Sequence, residues 1–240
     1  MAKIPSDFVA KMSHDLKTPV GNAMMYAELM SEEIRSLADE NPEFKSRLDP
    51  LEHYCGNIYL SSSKLINAIQ SWGYAYQIED GVFEIQETAV DLKELLDNII
   101  KRNQLFIRGK SLDVGVEYRS DRKIYHTDRE LITLVFDNLM TLFINMASAG
   151  SQIAIEVDKK GDGLLFRFLL PKSVFNRKLM DIFTGDITIS KHPAPEQGIL
   201  KPGGYGLIFA ARALQHIGAE RGVDDETADP RSFWFQLPLS

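Results

Sequence analysis

The stretch Phe8-Val-Ala-Lys-Met-Ser-His14-Asp15-Leu16-Lys17-Thr18-Pro19-Val20 decides how the rest of the chain is read. Val9, Leu16, Ala23, Met30 and Leu37 recur every seven positions, with Met12, Val20, Ala27 and Ile34 between them, which is helical spacing. At about 100° per residue, His14 lies about 120° from the centre of this apolar stripe. The histidine therefore points away from the seam, towards water or a partner. Asp15 sits beside it, a carboxylate able to accept a proton from the imidazole. Thr18 is one turn further on, on the same face. Pro19 removes a backbone donor and is expected to bend the helix just after the histidine.

Working outward, the helix is expected to start near Ser6-Asp7, good N-cap residue types, and to run to about Leu37. The Ala38-Asp-Glu-Asn-Pro42 segment breaks it, because the residue before a proline is disfavoured in helix. A second heptad follows: Phe44, Leu48, Leu51, Cys55, Ile58, Ser62, Leu65, Ile69, Trp72 and Tyr76, spaced alternately four and three. Pro50 either opens the regular part of this helix or kinks it. Two antiparallel helices with one apolar seam cannot enclose a core alone. Pairing of two chains into a four-helix bundle closes it, so a homodimer is expected.

The bulk properties bound the function. The chain has 240 residues and a formal net charge of −7, and no basic run stands out to neutralise phosphates, which argues against a nucleic-acid partner. Its single cysteine, Cys55, cannot form an internal disulfide and is expected as a buried thiol in the seam. Met1-Ala-Lys-Ile-Pro-Ser-Asp7 lacks the apolar core of a secretory signal, and no window reaches the length of a membrane span. A soluble, cytoplasmic protein is expected, with any sensor on another polypeptide or outside these residues.

The hairpin is expected to occupy residues 1–79 and to end at Glu79-Asp80-Gly81, and a second domain to occupy 80–240. Val82–Ile85 reads as a short strand, and Val90–Ile100 as an amphipathic helix capped by Asp91. Leu112–Tyr118 alternates like a strand, and a helix is expected from about Asp128 to Met146. Ile153–Val157 and Leu164–Leu170 flank Lys159-Lys-Gly-Asp-Gly163 and read as a β-hairpin. A loop-rich stretch with Pro193, Pro195 and Gly198 precedes a helix over Leu207–Ile217, and Ser232–Pro238 is a last strand. This order suggests an α+β chain in which the helical hairpin is followed by an α/β sandwich.

The string Ser13-His14-Asp15-Leu16-Lys17-Thr18-Pro19 resembles the H-box of two-component histidine kinases. The elements after it resemble, in order, the GHKL-type ATP-binding domain of that family. They include Asp128-Arg-Glu-Leu-Ile-Thr-Leu-Val-Phe-Asp-Asn138-Leu-Met, Gly204-Tyr-Gly206-Leu207 with Gly218, and the terminal Phe-Gln-Leu-Pro238. The resemblance covers nearly the whole chain. It implies that His14 is the phosphoacceptor, that Asp15 supports the imidazole as a base, and that Thr18 can orient a water. It implies a response-regulator receiver domain as partner and Asn138, Gly204 and Gly206 as remnants of a nucleotide site.

Two family boxes are altered. The family's N-box reads Asn-Leu-Leu-x-Asn-Ala-x-Lys-Tyr, with asparagine oxygens on Mg²⁺ and a lysine near the phosphates. Here Leu142 stands for the second asparagine and Asn145 for the lysine, and a leucine offers no oxygen to a hard cation. The adenine-binding Asp-x-Gly-x-Gly is replaced by Leu169-Leu170-Pro171-Lys172-Ser173. The Gly-rich box is kept in part, as Pro202-Gly203-Gly204-Tyr205-Gly206-Leu207. Gly204 and Gly206 also suit a plain loop-to-helix turn, and Asn138 a helix-surface polar residue. His53, His126, His192 and His216 are scattered, with no ligand spacing for a metal and no nucleophile elbow for a hydrolase.

The expected function is therefore histidine phosphotransfer on a kinase frame with a degenerate ATP domain. Mg²⁺ would come from the partner regulator, and no cofactor is expected bound. The alternatives are an active sensor kinase that binds ATP through divergent residues, and a pseudokinase scaffold that does no chemistry.

Overall fold

The computed structural model describes residues 6–121, 123–170, 177–185, 204–224 and 232–238. It divides into two compact units, Met1–Gly73 and Tyr74–Ser240. Each is described by itself.

The first unit is built from α1 (Ser6–Glu40) and most of α2 (Lys45–Asp80), joined by a 3-10 turn over Pro42–Phe44. The turn is closed by local bonds: the Asn41 N–H and its side-chain amide both donate to Leu37 O, at 3.0 and 3.1 Å, and the Phe44 N–H donates to Asn41 O at 3.0 Å. Helix α1 continues through Pro19, and α2 starts at Lys45 and runs through Pro50. The seven-residue patterns divide into two stripes. Ser13, Ala27 and Ile34 on α1, and Cys55 and Ser62 on α2, are buried within the chain. Leu16, Met30, Leu37, Leu51, Ile58, Leu65 and Trp72 are between 41% and 55% exposed. Those last four residues of α2 recur every seven positions, as do Leu16, Ala23, Met30 and Leu37 on α1, so an unfilled apolar stripe runs along each helix.

Helix α2 ends in a glycine cap. Gly81 adopts φ +71°, its N–H donates to Ile78 O at 3.1 Å, and the Val82 N–H donates to Gln77 O at 3.0 Å. This is the Schellman pattern, which satisfies the last helical carbonyls. It also corrects the strand expected over Val82–Ile85. The Val82 and Phe83 amides are both spent on Gln77 O, and the strand β1 starts later, at Glu87–Asp91. Ala75 is buried in the core of the second unit, with Tyr74 and Ile78 packed against it, which is why the compact units part at Gly73–Tyr74.

The second unit continues with α3 (Leu92–Arg102), α4 (Gln104–Gly109), β2 (Asp113–Tyr118), β3 (Ile124–Asp128) and α5 (Arg129–Met146). Then come β4 (Gln152–Lys160), β5 (Gly163–Leu169), α6 (Arg177–Thr184), α7 (Gly204–His216), β6 (Glu220–Asp224) and β7 (Ser232–Leu237). One sheet has the order β2-β4-β5-β7-β6, with β2 parallel to β4 and the other pairs antiparallel. The strands β1 and β3 form a separate antiparallel pair. The inner face of the large sheet packs on α5 through phenylalanines. Phe136 lies 5.2 Å from Phe166, and Phe143 lies 5.4 Å from Phe168 and 5.3 Å from Phe233, ring centre to ring centre. Such edge-on and tilted contacts between buried rings are favourable beyond the area they bury. The opposite face carries a charged ladder in which Arg119 and Arg167 meet Glu156 and Asp158.

Asp91 caps α3, accepting from the Glu94 N–H at 2.9 Å, and Asp128 caps α5, accepting from the Leu131 N–H at 2.9 Å. At the other end of α5, the Lys110 ammonium donates to the carbonyls of Ile144, Asn145 and Ala147, at 2.9, 2.7 and 3.1 Å. The helical hairpin followed by a mixed α/β sheet domain is the fold class expected from the sequence. No helix among the described residues is long and apolar enough to cross a membrane.

Candidate functional site

His14 projects from α1 with 82% of its side chain exposed. Its Nδ1 lies 3.5 Å from Asp15 Oδ1, which leaves Nε2 pointing outward. Thr18 is exposed one turn further along. The residue before the histidine behaves oppositely. Ser13 is buried, and its hydroxyl donates across to Ile69 O of α2 at 3.5 Å. The arrangement is an accessible imidazole with a carboxylate at one nitrogen, carried on a helix held from behind. Such an imidazole is open to a large partner rather than enclosed in a pocket.

Asn138, Gly204 and Gly206, expected from the resemblance as remnants of a nucleotide site, lie in the second unit. Asn138 sits on α5, and its side-chain amide donates to Leu134 O of the same helix at 2.7 Å. Its Oδ1 packs against Gly206 of α7, where a Cβ would stand 2.3 Å from that oxygen. Gly206 is thus required by close helix packing. Gly204 is the first residue of α7. Leu142 is 3% exposed, part of the core. Asn145 holds a buried Nδ2 that has no hydrogen-bond partner among the described residues. This donor set suits a magnesium nucleotide poorly, since Leu142 has no oxygen to give and Asn138 Oδ1, the atom a cation would meet, packs against Gly206. Residues 171–173 and Pro202-Gly203, which would complete the adenine and glycine boxes, lie outside the described residues, as does His192. Among the described residues no cluster of three acidic, histidine or cysteine side chains could hold a metal.

Two features escaped sequence reasoning. Asp137, next to Asn138, is buried and paired with Arg102 of α3 at 2.9 Å. Burial pushes its carboxyl up to about 6, against the opposing pull of the Arg102 guanidinium. The other is the approach of Gly73 to Ser13, for which the only sequence signal is a glycine inside a long heptad helix.

The architecture is thus a helical hairpin that presents His14 on α1, followed by an α/β sandwich. Residues 6–55 match the His Kinase A (phospho-acceptor) domain. The chain is 24% identical over 256 residues to the sensor protein GacS of Pseudomonas syringae pv. syringae, covering 99% of this chain and 25% of GacS. It is 22% identical over 246 residues to the autoinducer 2 sensor kinase/phosphatase LuxQ of Vibrio vulnificus (strain CMCP6), covering 99% of this chain and 27% of LuxQ. The crystal structure of full-length ShkA in complex with AMPPNP superposes with a TM-score of 0.62 at 16% identity, covering 99% of this chain and 46% of ShkA. The last likeness shows the fold. The phospho-acceptor match thus covers residues 6–55, and over nearly its whole length the chain is similar to sensor histidine kinases. It spans about a quarter of the length of GacS and LuxQ.

Proposed function

We propose that this chain is a histidine phosphotransferase of a two-component system. His14 accepts the phosphoryl group from an aspartyl phosphate on a response-regulator receiver domain and passes it to another. The observation that carries this reading is the accessibility of His14, 82% exposed beside Asp15, within the matched phospho-acceptor domain. In the transfer, Nε2 attacks phosphorus in line, a P–N bond forms and the acyl phosphate P–O bond breaks. The regulator's aspartate leaves as a carboxylate, and the Nδ1 proton moves towards Asp15. The regulator supplies the Mg²⁺ at its own aspartate. The Thr18 hydroxyl orients a water for loss of phosphate from the regulator, a side activity supported by a kinase/phosphatase among the relatives.

The working form is a homodimer. The exposed stripes Leu16–Met30–Leu37 and Leu51–Ile58–Leu65–Trp72 are the surface that a second copy would bury. The second unit then serves as a docking surface and not as an ATP site. The burial of Leu142 supports this, as does the packing of Asn138 Oδ1 against Gly206.

A second reading, an active kinase that phosphorylates His14 from ATP, is favoured by the names of the relatives, which are sensor kinases. Incubation with labelled ATP, and separately with a labelled phospho-regulator, separates the two. Label on His14 from the regulator alone is expected. Label from ATP supports the kinase, and label from neither leaves a scaffold.

A further inference from the structure

Gly73 lies inside α2, seven residues before its last residue Asp80. Apart from proline, glycine is the least favourable residue in a helix interior, so its presence there calls for a contact that excludes a side chain. That contact is Ser13. A Cβ on Gly73 would stand 3.0 Å from Ser13 Oγ and 3.6 Å from Ser13 Cβ. A Cβ on Gly21, a glycine of α1, would meet nothing within 4 Å. The Ser13 hydroxyl donates across the hairpin to Ile69 O, one turn before Gly73 on the same face of α2. A helical serine commonly bonds a carbonyl of its own preceding turn. Here it crosses to the other helix.

His14 follows Ser13 directly, and on a helix each residue stands at a fixed turn of about 100° and a fixed rise of about 1.5 Å from the one before it. Whatever holds Ser13 against α2 therefore sets the direction in which the imidazole leaves α1. On the reading that His14 is the phosphoacceptor, we propose that Ser13 and Gly73 are positioning residues for it. Their side-chain-free approach and the bond to Ile69 O fix the azimuth of α1 at the site of transfer. Neither residue touches the phosphoryl group.

The test is a pair of substitutions in the full chain. Gly73→Ala adds the Cβ that must displace Ser13 by a few tenths of an ångström. Ser13→Ala removes the hydroxyl that this Cβ meets, leaving an ordinary contact. Transfer from acetyl-phosphate-charged regulator to His14, the melting temperature and the His14 imidazole ¹H–¹³C NMR signal are read for wild type, each single variant and the double variant. Alanine favours helix, so a Gly73 with no role predicts an unchanged or higher melting temperature and unchanged transfer, and a purely structural packing role predicts a lower melting temperature with unchanged kcat. Positioning predicts that Gly73→Ala keeps or raises the melting temperature while kcat falls about tenfold at unchanged KM. The His14 signal moves with it, and adding Ser13→Ala restores both. A Gly73→Ala variant with wild-type kcat and an unmoved signal overturns the proposal, as does a loss that Ser13→Ala fails to restore. If wild type accepts no label, the phosphoacceptor reading fails and the NMR signal alone decides the positioning.

Discussion

Asp137 and Arg102 tie helix α5 to helix α3: the guanidinium reaches the buried carboxyl at 2.9 Å, with Arg102 half-exposed and Asp137 only 5% exposed. The pair is lopsided. Burial raises the Asp137 carboxyl from 3.8 to about 6, so removal from water outweighs the cation.

This has a sign that can be measured. A carboxyl whose folded-state pKa lies above its unfolded value holds its proton more tightly in the folded state. Its contribution is most favourable below pH 4 and is lost as pH rises through about 6. The loss is on the order of 3 kcal/mol. Asp137→Asn is neutral throughout and is expected to be at least as stable as wild type at pH 7, with the difference shrinking towards pH 4. Urea unfolding of both proteins across that range checks it. A wild type that gains on Asp137→Asn between pH 4 and 6 contradicts it.

Replacing Ile58 and Leu65 by aspartate is expected to give monomers or unfolded chains. Both residues lie on the open stripe of α2, nearly half exposed in one chain. Truncating such a residue to alanine, once buried by a second copy, costs about 2–5 kcal/mol, and a charge there costs more. Light scattering at micromolar concentration reports the outcome. A wild-type monomer under those conditions counts against the dimer.

Titration with Mg-ATP is expected to show no saturable heat below the millimolar range. Leu142 supplies no oxygen to the metal, and its burial leaves no room for one. Micromolar binding would restore the kinase reading.

Thr18→Ala is expected to leave transfer to His14 intact and to slow loss of phosphate from the regulator to water. The hydroxyl is exposed one turn from the histidine and away from the seam, so stability changes by less than about 0.5 kcal/mol. Parallel assays of His14 labelling and free phosphate release separate the two effects. Equal loss in both assays would give Thr18 a different role.

Much of this architecture is legible in the chain because it is periodic. The seven-residue spacing of Leu16, Ala23, Met30 and Leu37 reads as one face of a long helix, and His14 is found on the other side of it. Periodicity does not say which apolar residues meet inside the chain. That Ala27, Ile34 and Cys55 are enclosed while Met30 and Ile58 stay open is decided by how α1 and α2 pair. The strand β3 is five residues long and runs straight into the cap of α5, so it has no pattern of its own and exists through pairing with β1. The same limit hides the site's support. Ser13 with Gly73, and Asp137 with Arg102, are contacts between residues far apart in sequence, and no single-helix pattern encodes them.

The central claim is tested most directly by His14→Ala. The substitution removes the exposed imidazole and leaves Leu16, Ala27 and Ile34 in place, so dimer formation and melting temperature are expected to match wild type. The decisive measurement is label transfer from a phosphorylated cognate regulator to each protein. Stable His14→Ala protein with no transfer, beside a wild type that accepts label, is the predicted result. An alanine variant that still accepts label, or a wild type that never does, would contradict the account.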